Sequence, residues 1–182
     1  KRVLLQVLEE FDHKHLNLDL PYFERQIPTS ENVARVLWDK LQAQPDIGTL
    51  QRLSLYEDED LCADLTAEAG SEVASVTRRY SFTAVHDGHR GHTWDLFVSV
   101  HGPIDRETGM VTDIVALDHL LKERVLVPFD GRDLRMVLAT PSVTGEYLAK
   151  AVWDRIVSAI PAGTLQLVKL VQTRDLFYEY AG

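Results

Sequence analysis

The middle of the chain carries the alternation of apolar and other residues that is typical of a β-strand with one buried face. Within 92–101, Trp94, Leu96 and Val98 alternate with Asp95, Phe97 and Ser99, which is close to a period of two. The preceding stretch, 76–86, is rich in β-branched and aromatic residues, and an Asp-Gly pair follows it. We therefore predict two strands, over 76–86 and 92–101, joined by a short turn.

After this hairpin the apolar spacing becomes helical. Apolar residues recur three and four positions apart from Asp113 to about residue 131, and again over 142–160. Asp113 has a side chain suited to capping the first of these helices. Two further strands are predicted over 165–172 and 176–180, so the order of elements is β-β-α-α-β-β.

The first third of the chain shows only the later part of that order. Thr29 and Ser30 are both able to cap its second helix. The predicted elements are helices over 1–11 and 29–44 and strands over 50–57 and 61–65.

The two parts of the chain match each other at an offset of 115 positions. Residues 31–40 align with 146–155 without a gap and share a tryptophan, and the sequence GTLQ occurs at both 48–51 and 163–166. A repeat of this kind indicates duplicated structural units. We predict that residues 1–66 are the C-terminal half of a first repeat, that 71–182 are a complete second repeat, and that a short polar linker joins them. By the same alignment, we expect roughly 45 to 50 further residues before Lys1 in the natural protein.

Composition and charge narrow the classes of function. The 182 residues are 45% apolar and 26% charged, with a formal net charge of −9. No cluster of lysine and arginine is present, which argues against nucleic acid as a partner. No apolar run approaches the roughly 20 residues that span a bilayer, so no membrane association is expected. A single cysteine, Cys62, allows no internal disulfide, and we expect a cytoplasmic protein.

Six short motifs carry a family resemblance. They are FDHKHLN at 11–17, PTSENVA at 28–34, LSLYE at 53–57, FTAVH at 82–86, GHTW at 91–94 and DRETGMVTD at 105–113. They resemble elements of the 6-pyruvoyltetrahydropterin and 6-carboxytetrahydropterin synthases. The resemblance implies an α+β tunnelling fold: repeated β-β-α-α-β-β units whose four-stranded antiparallel sheet is covered on one face by two helices. It also implies a homo-oligomer in which sheets join edge to edge and active sites lie between subunits.

The resemblance identifies residues that would bind the substrate. A pterin presents an amino group beside ring N–H groups, and a carboxylate can accept hydrogen bonds from both. Glu57 is the candidate for this role; the alternative is an exposed acid in the acidic turn 57–60. Thr29 belongs to the matching helix-start motif. Gln172 replaces the glutamate in the second repeat and would be a weaker anchor.

Two adjacent residues are candidates for acid–base catalysis. Asp12 would orient and charge-stabilise the imidazole of His13, which would transfer protons. The alternative is that Asp12 caps a helix end and that His13 is solvated. In the second repeat the matching pair is Asp130 and Gly131, so the acid–base group is lost there.

The family's zinc ion is held by three histidines. His86 and His92 match two of them, but the middle position is Arg90, which keeps its proton and cannot bind a metal. His89 is the candidate for the third ligand; the alternative is a metal-free, histidine-rich turn. Zinc would polarise a substrate oxygen and ease proton abstraction. The family's usual catalytic cysteine has no counterpart, because Cys62 lies on a different strand.

Two functions follow from the resemblance. The first is a lyase that acts on 7,8-dihydroneopterin triphosphate and eliminates triphosphate. In bacteria its product would be 6-carboxytetrahydropterin, on the route to deazaguanine bases such as queuosine. The second is a catalytically degenerate homologue that binds a pterin or serves assembly.

Overall fold

The computed structural model describes residues 2–86 and 91–182. The strands are β1 (Arg52–Tyr56), β2 (Leu61–Thr66), β3 (Val73–Ala84), β4 (His92–Pro103), β5 (Thr164–Thr173) and β6 (Leu176–Tyr180). The helices are α1 (Arg2–Leu8), α2 (Leu16–Asp19), α3 (Ser30–Gln42), α4 (Ile114–Leu121), α5 (Val127–Phe129), α6 (Leu134–Val137) and α7 (Gly145–Ile156). Two 3₁₀ turns, Pro21–Phe23 and Val157–Ala159, and one π-helical turn, Lys122–Leu126, complete the secondary structure.

The strands form one six-stranded sheet in the order β1-β2-β3-β4-β5-β6. The predicted α+β class is confirmed. The four strands assigned to the second repeat are consecutive in the sheet, and β2 lies beside β3. The described residues fall into two compact units, one drawn from 2–76 and 101–111 and the other from 77–86, 91–100 and 112–182.

The hairpins β1–β2 and β5–β6 have the same cross-strand register. In the first, the pairs are Leu53↔Leu65, Ser54↔Asp64, Leu55↔Ala63 and Tyr56↔Cys62. In the second, they are Val168↔Tyr180, Lys169↔Glu179, Leu170↔Tyr178 and Val171↔Phe177. Every residue of the second set lies 115 positions after its counterpart in the first. The offset found in the sequence therefore also relates residues by their place in the sheet.

In the first unit, α3 packs on β1 and β2. Its buried residues Leu37 and Leu41 contact Val7 of α1, and the partly buried Leu53 and Leu55 of β1 pack against this cluster. Burying one stripe of the helix against one face of a sheet removes both apolar surfaces from water.

In the second unit, α7 packs on β5 and β6 in the same way. Leu148 and Val152 of α7 and Val168 and Leu170 of β5 are fully buried. On β4 of this unit Trp94, Leu96 and Val98 are buried and alternate with the half-buried Asp95 and Phe97, as predicted, but Ser99 is buried as well.

Hydroxyl and carboxylate side chains fix the helix starts. Thr29 and Thr144 are the N-caps of α3 and α7, and each accepts a hydrogen bond from the backbone N–H three residues later. Asp113 caps α4 as predicted, accepting two N–H groups of the first turn. The predicted start of α7 near residue 142 was early, because Thr144 supplies the cap.

The helix predicted over 113–131 is not continuous. A π-helical turn separates α4 from α5, and within it the N–H of Val127 donates to the carbonyl of Lys122, five residues earlier. Pro128 follows and has no N–H to donate. A proline clashes with the carbonyl four residues before it, so the helix widens by one residue just ahead of Pro128. Among residues 2–86 and 91–182, no helix combines the length and the apolar character needed to cross a membrane.

Candidate functional site

The predicted anchor Glu57 is held at the start of α3. The hydroxyl of Ser30, which is buried, donates to Glu57 Oε2 at 2.6 Å. The other carboxylate oxygen, Oε1, has no hydrogen-bond partner among the described residues. The positive end of the α3 dipole favours negative charge at this position. The Ser30 hydroxyl thus orients the carboxylate of Glu57, and Oε1 together with the second lone pair of Oε2 can accept hydrogen bonds from a ligand.

A second carboxylate, that of Glu31, ties a loop to the same helix start. Glu31 is 4% exposed and accepts the backbone N–H of Val111 at 3.0 Å. Burial raises the pKa of this carboxyl group, and the hydrogen bond from Val111 opposes the rise. Thr29 Oγ1 donates to the carbonyl of Gly109 at 2.5 Å. The predicted site residue Thr29 therefore acts on the loop as well as on the helix.

Gly109 allows this close approach. Its φ is +74°, and a Cβ atom there would lie 2.3 Å from Asn32 Nδ2. Both the backbone conformation and the space exclude a side chain. The loop over 105–111 and the first turn of α3 form one fixed platform beside Glu57.

Asp12 and His13, the predicted acid–base pair, lie on an exposed turn. Their side chains are 70% and 95% exposed, and His13 Nε2 is 3.8 Å from Asp12 Oδ1. Neither has a hydrogen bond or ion pair with Glu57 or Ser30 in the described part of the chain. The structure brings the two together but gives them no contact with the anchor.

The backbone at His13 has an unusual conformation. Its φ is +53°, a value rare for residues with a Cβ atom, and the matching residue of the second half, Gly131, has φ +69°. In that half, Asp130 Oδ1 accepts the N–H of Thr83 at 2.8 Å and Gly131 N donates to the carbonyl of Thr83 at 2.7 Å. The two turns share a shape that glycine adopts freely and histidine adopts at some cost. Such strain is frequent at functional positions.

Replacing His13 with glycine should therefore stabilise the fold. We expect a gain of about 0.5 to 1 kcal/mol in the free energy of unfolding, because left-handed backbone is unfavourable for a residue with a Cβ atom. The exposed imidazole has almost no packing to lose. Urea unfolding of His13→Gly against the wild type measures the difference.

The matched control is Gly131→Ala, in the equivalent turn. No atom lies within 4 Å of a Cβ at Gly131, so only backbone strain changes. We expect a loss of about 1 kcal/mol there. A destabilised His13→Gly variant would show that His13 is not strained.

The predicted metal ligands are only partly described. His86 and His92 lie with their ring centroids 6.3 Å apart, and each ring centroid is 5.2 Å from that of Trp94. His92 Nε2 is buried and has no hydrogen-bond partner within the described ranges. The third predicted ligand, His89, lies outside the described residues. Within 2–86 and 91–182, no group of three potential ligands is placed to hold a metal ion. Two imidazoles, one with an unsatisfied nitrogen, suit zinc if a third ligand joins them.

The side chain of Gln172 accepts a hydrogen bond from another residue of this chain. The hydroxyl of Tyr178 donates to Gln172 Oε1 at 3.3 Å. The second-half counterpart of Glu57 is thus engaged by a side chain of its own hairpin.

Cys62 is buried on β2, and burial and the carboxylate of Asp64 raise the pKa of its thiol to about 11. A thiol of this kind is protonated at neutral pH and cannot act as a base.

A family model, sequence relatives and a solved structure all match this chain to the same family of proteins. The model of the family "6-pyruvoyl tetrahydropterin synthase" matches residues 1–68 and 75–182. The 6-pyruvoyl tetrahydrobiopterin synthase of Pongo abelii is 32% identical over 60% of this chain and 92% of its own length. The Homo sapiens protein of that name is 31% identical with the same coverage. A structure of Caenorhabditis elegans 6-pyruvoyl tetrahydropterin synthase aligns with a TM-score of 0.56 at 23% identity, covering 60% of this chain and 96% of that one.

The helix-covered six-stranded sheet aligns with the solved 6-pyruvoyl tetrahydropterin synthase, so the chain is a tunnelling-fold protein. The chain belongs to the 6-pyruvoyl tetrahydropterin synthase family. The predicted family and fold are confirmed. The predicted zinc ion, homo-oligomer, cytoplasmic location and lack of nucleic acid stay predictions.

Three residues that contact predicted site residues or their loops were absent from the predicted site. Ser30 and Glu31 lie in the helix-start motif, and their roles depend on contacts with residues far away in sequence. Tyr178 could have been predicted from the sequence, because the repeat alignment matches it with Ala63, a much smaller residue.

Proposed function

We propose that this chain is a pterin synthase-like lyase that acts on 7,8-dihydroneopterin triphosphate or a closely related pterin. The observation that carries the proposal is the Glu57 carboxylate, fixed through Oε2 by Ser30 and open at Oε1. An amino group and an adjacent ring N–H of a pterin are two parallel donors, which is the arrangement a carboxylate binds best. Thr29 and Glu31 keep the neighbouring loop in place, so the anchor is preorganised.

We also propose that the chain consists of two related repeats, residues 1–66 and 71–182. The shared register of β1–β2 and β5–β6 supports this, as do the equivalent threonine caps of α3 and α7. The family model also matches in two segments. On this basis the first repeat keeps the anchor and the acid–base pair, and the second keeps the histidine pair.

In this proposal the chemical step is the removal of a proton from the substrate's side chain, and the triphosphate leaves with the electrons of its C–O bond. His13 accepts the proton, and Asp12 beside it orients the imidazole and stabilises its charged form. His86 and His92, with His89 as a third ligand, would hold a zinc ion. When bound, zinc polarises an oxygen of the substrate side chain and makes the neighbouring proton more acidic.

The test is the release of triphosphate. The protein is incubated with 7,8-dihydroneopterin triphosphate, and inorganic triphosphate and the pterin product are quantified by chromatography. Removing a general acid–base group lowers rates by about 100-fold to 10,000-fold, and we expect His13→Ala to fall in that range.

The control is His15→Ala, which removes an exposed histidine two residues further on and should leave turnover unchanged. Equal turnover in wild type and His13→Ala would contradict the role of His13. If the protein binds biopterin but releases no triphosphate, the non-enzymatic, pterin-binding function replaces the lyase.

A further inference from the structure

The second half of the chain contains a position equivalent to the pterin anchor, and a side chain of the protein fills it. The cross-strand pair Leu170↔Tyr178 corresponds to Leu55↔Ala63 by the shared register. By the same offset, Gln172 corresponds to Glu57. Ala63 is fully buried, whereas its counterpart Tyr178 carries a large ring.

The ring of Tyr178 lies directly on the start of α7. A Cβ atom at Gly145 would be 2.1 Å from two ring carbons of Tyr178. Such a distance excludes any side chain at this position. The backbone of Gly145 is not in the left-handed region that requires glycine, so the ring, and not the chain conformation, demands glycine here.

The residue equivalent to Gly145 in the first half is Ser30. Its hydroxyl orients Glu57, the proposed anchor. In the second half, Gly145 has no hydroxyl and Gln172 has an amide in place of the carboxylate. The ring of Tyr178 fills the space beside them. Three coordinated differences thus separate the two halves at one place in the fold.

Tyr178 also forms a hydrogen bond with the side chain of Gln172, the residue equivalent to Glu57. Its hydroxyl donates to Gln172 Oε1 at 3.3 Å, as a ligand's N–H would. The ring centroid lies 6.3 Å from that of Trp94, which in turn contacts His92. A planar aromatic ring with a donor at its edge is the chemistry of a pterin.

We propose that Tyr178 is a built-in occupant of a second pterin site, so that each chain binds one pterin, at Glu57, and holds a second, closed site at Gln172. This inference rests on the proposed function, because it takes Glu57 as the anchor of the open site. Removing the ring and restoring the carboxylate opens the second site to a fused-ring heteroaromatic ligand.

The experiment compares two double variants of the chain by calorimetric titration with biopterin. In Tyr178→Val/Gln172→Glu the tyrosine ring is replaced by valine, a β-branched residue that is common in strands. Tyr178→Phe/Gln172→Glu keeps the ring and serves as the matched control. We expect the Val variant to gain one biopterin site per chain over the wild type, and the Phe variant to gain none.

The gained site is separated from the first by adding Glu57→Gln, which should remove the wild-type site and leave the new one. No gain in the Val variant overturns the inference, even if the wild type binds biopterin normally. A gain in a protein whose wild type binds none supports the closed site at Gln172 and contradicts the anchor role of Glu57. If circular dichroism shows that the Val variant is unfolded, Tyr178→Leu/Gln172→Glu is judged by the same criterion.

Discussion

Replacing Glu57 with glutamine lowers the affinity for biopterin by about 100-fold, because the ligand loses a charged acceptor that takes two of its donors at once. Hydrogen bonds to charged groups contribute about 1.5 to 3 kcal/mol each, and an amide keeps one acceptor while placing an N–H₂ group opposite a donor. The net loss is therefore about 3 kcal/mol. Titration of the variant with biopterin measures the change directly.

The loss should be specific to binding. Glu57 is exposed, and a glutamine there can still accept the hydroxyl of Ser30, so the free energy of unfolding should stay the same. Glu59→Gln removes an equal charge from the same turn and should leave the affinity within about twofold, since exposed charges act weakly through solvent. An affinity that is unchanged in Glu57→Gln would eliminate Glu57 as the anchor.

The largest expected loss of stability follows from truncating Phe129. This side chain is fully buried, its ring centroid lies 5.7 Å from that of Phe82, and the guanidinium carbon of Arg155 lies 4.9 Å from its centroid on the ring face. Phe129→Ala removes the packing on both sides and leaves a cavity. We expect a loss of about 3 to 5 kcal/mol in the free energy of unfolding, measured by urea denaturation.

Val127 provides the control in the same short helix. Its side chain is 63% exposed, so Val127→Ala should change the stability by less than about 0.5 kcal/mol. A loss below about 1.5 kcal/mol in Phe129→Ala would mean that the neighbouring side chains collapse into the space more completely than measured cores do.

The sequence was sufficient to predict the strands because the alternation of apolar residues is visible within a single strand. The strand predicted over 176–180 coincides with β6, and β4 begins at the predicted His92. The four-residue helices α2 and α6 were not predicted, since one turn is too short to repeat a helical pattern. The π-helical turn before Pro128 was also missed, because an extra residue in one turn hardly disturbs apolar spacing.

The closeness of Asp12 and His13 could be predicted because the two residues are adjacent in the chain. The site was not predictable where distant segments meet. The hydroxyl of Ser30 reaches Glu57 across 27 positions, and Glu31 reaches Val111 across 80. No repeating pattern in the sequence indicates either contact, since each depends on how α3 packs within the first unit.

The buried state of Cys62 has a practical consequence for labelling studies. Cys62 is the only cysteine of the sequence, and burial raises the pKa of its thiol to about 11, so the thiol is protonated at neutral pH. Maleimides and other alkylating reagents attack the ionised form, so the folded protein resists them. A cysteine introduced at an exposed position would then carry a fluorophore or spin label alone, with the native residue left in place.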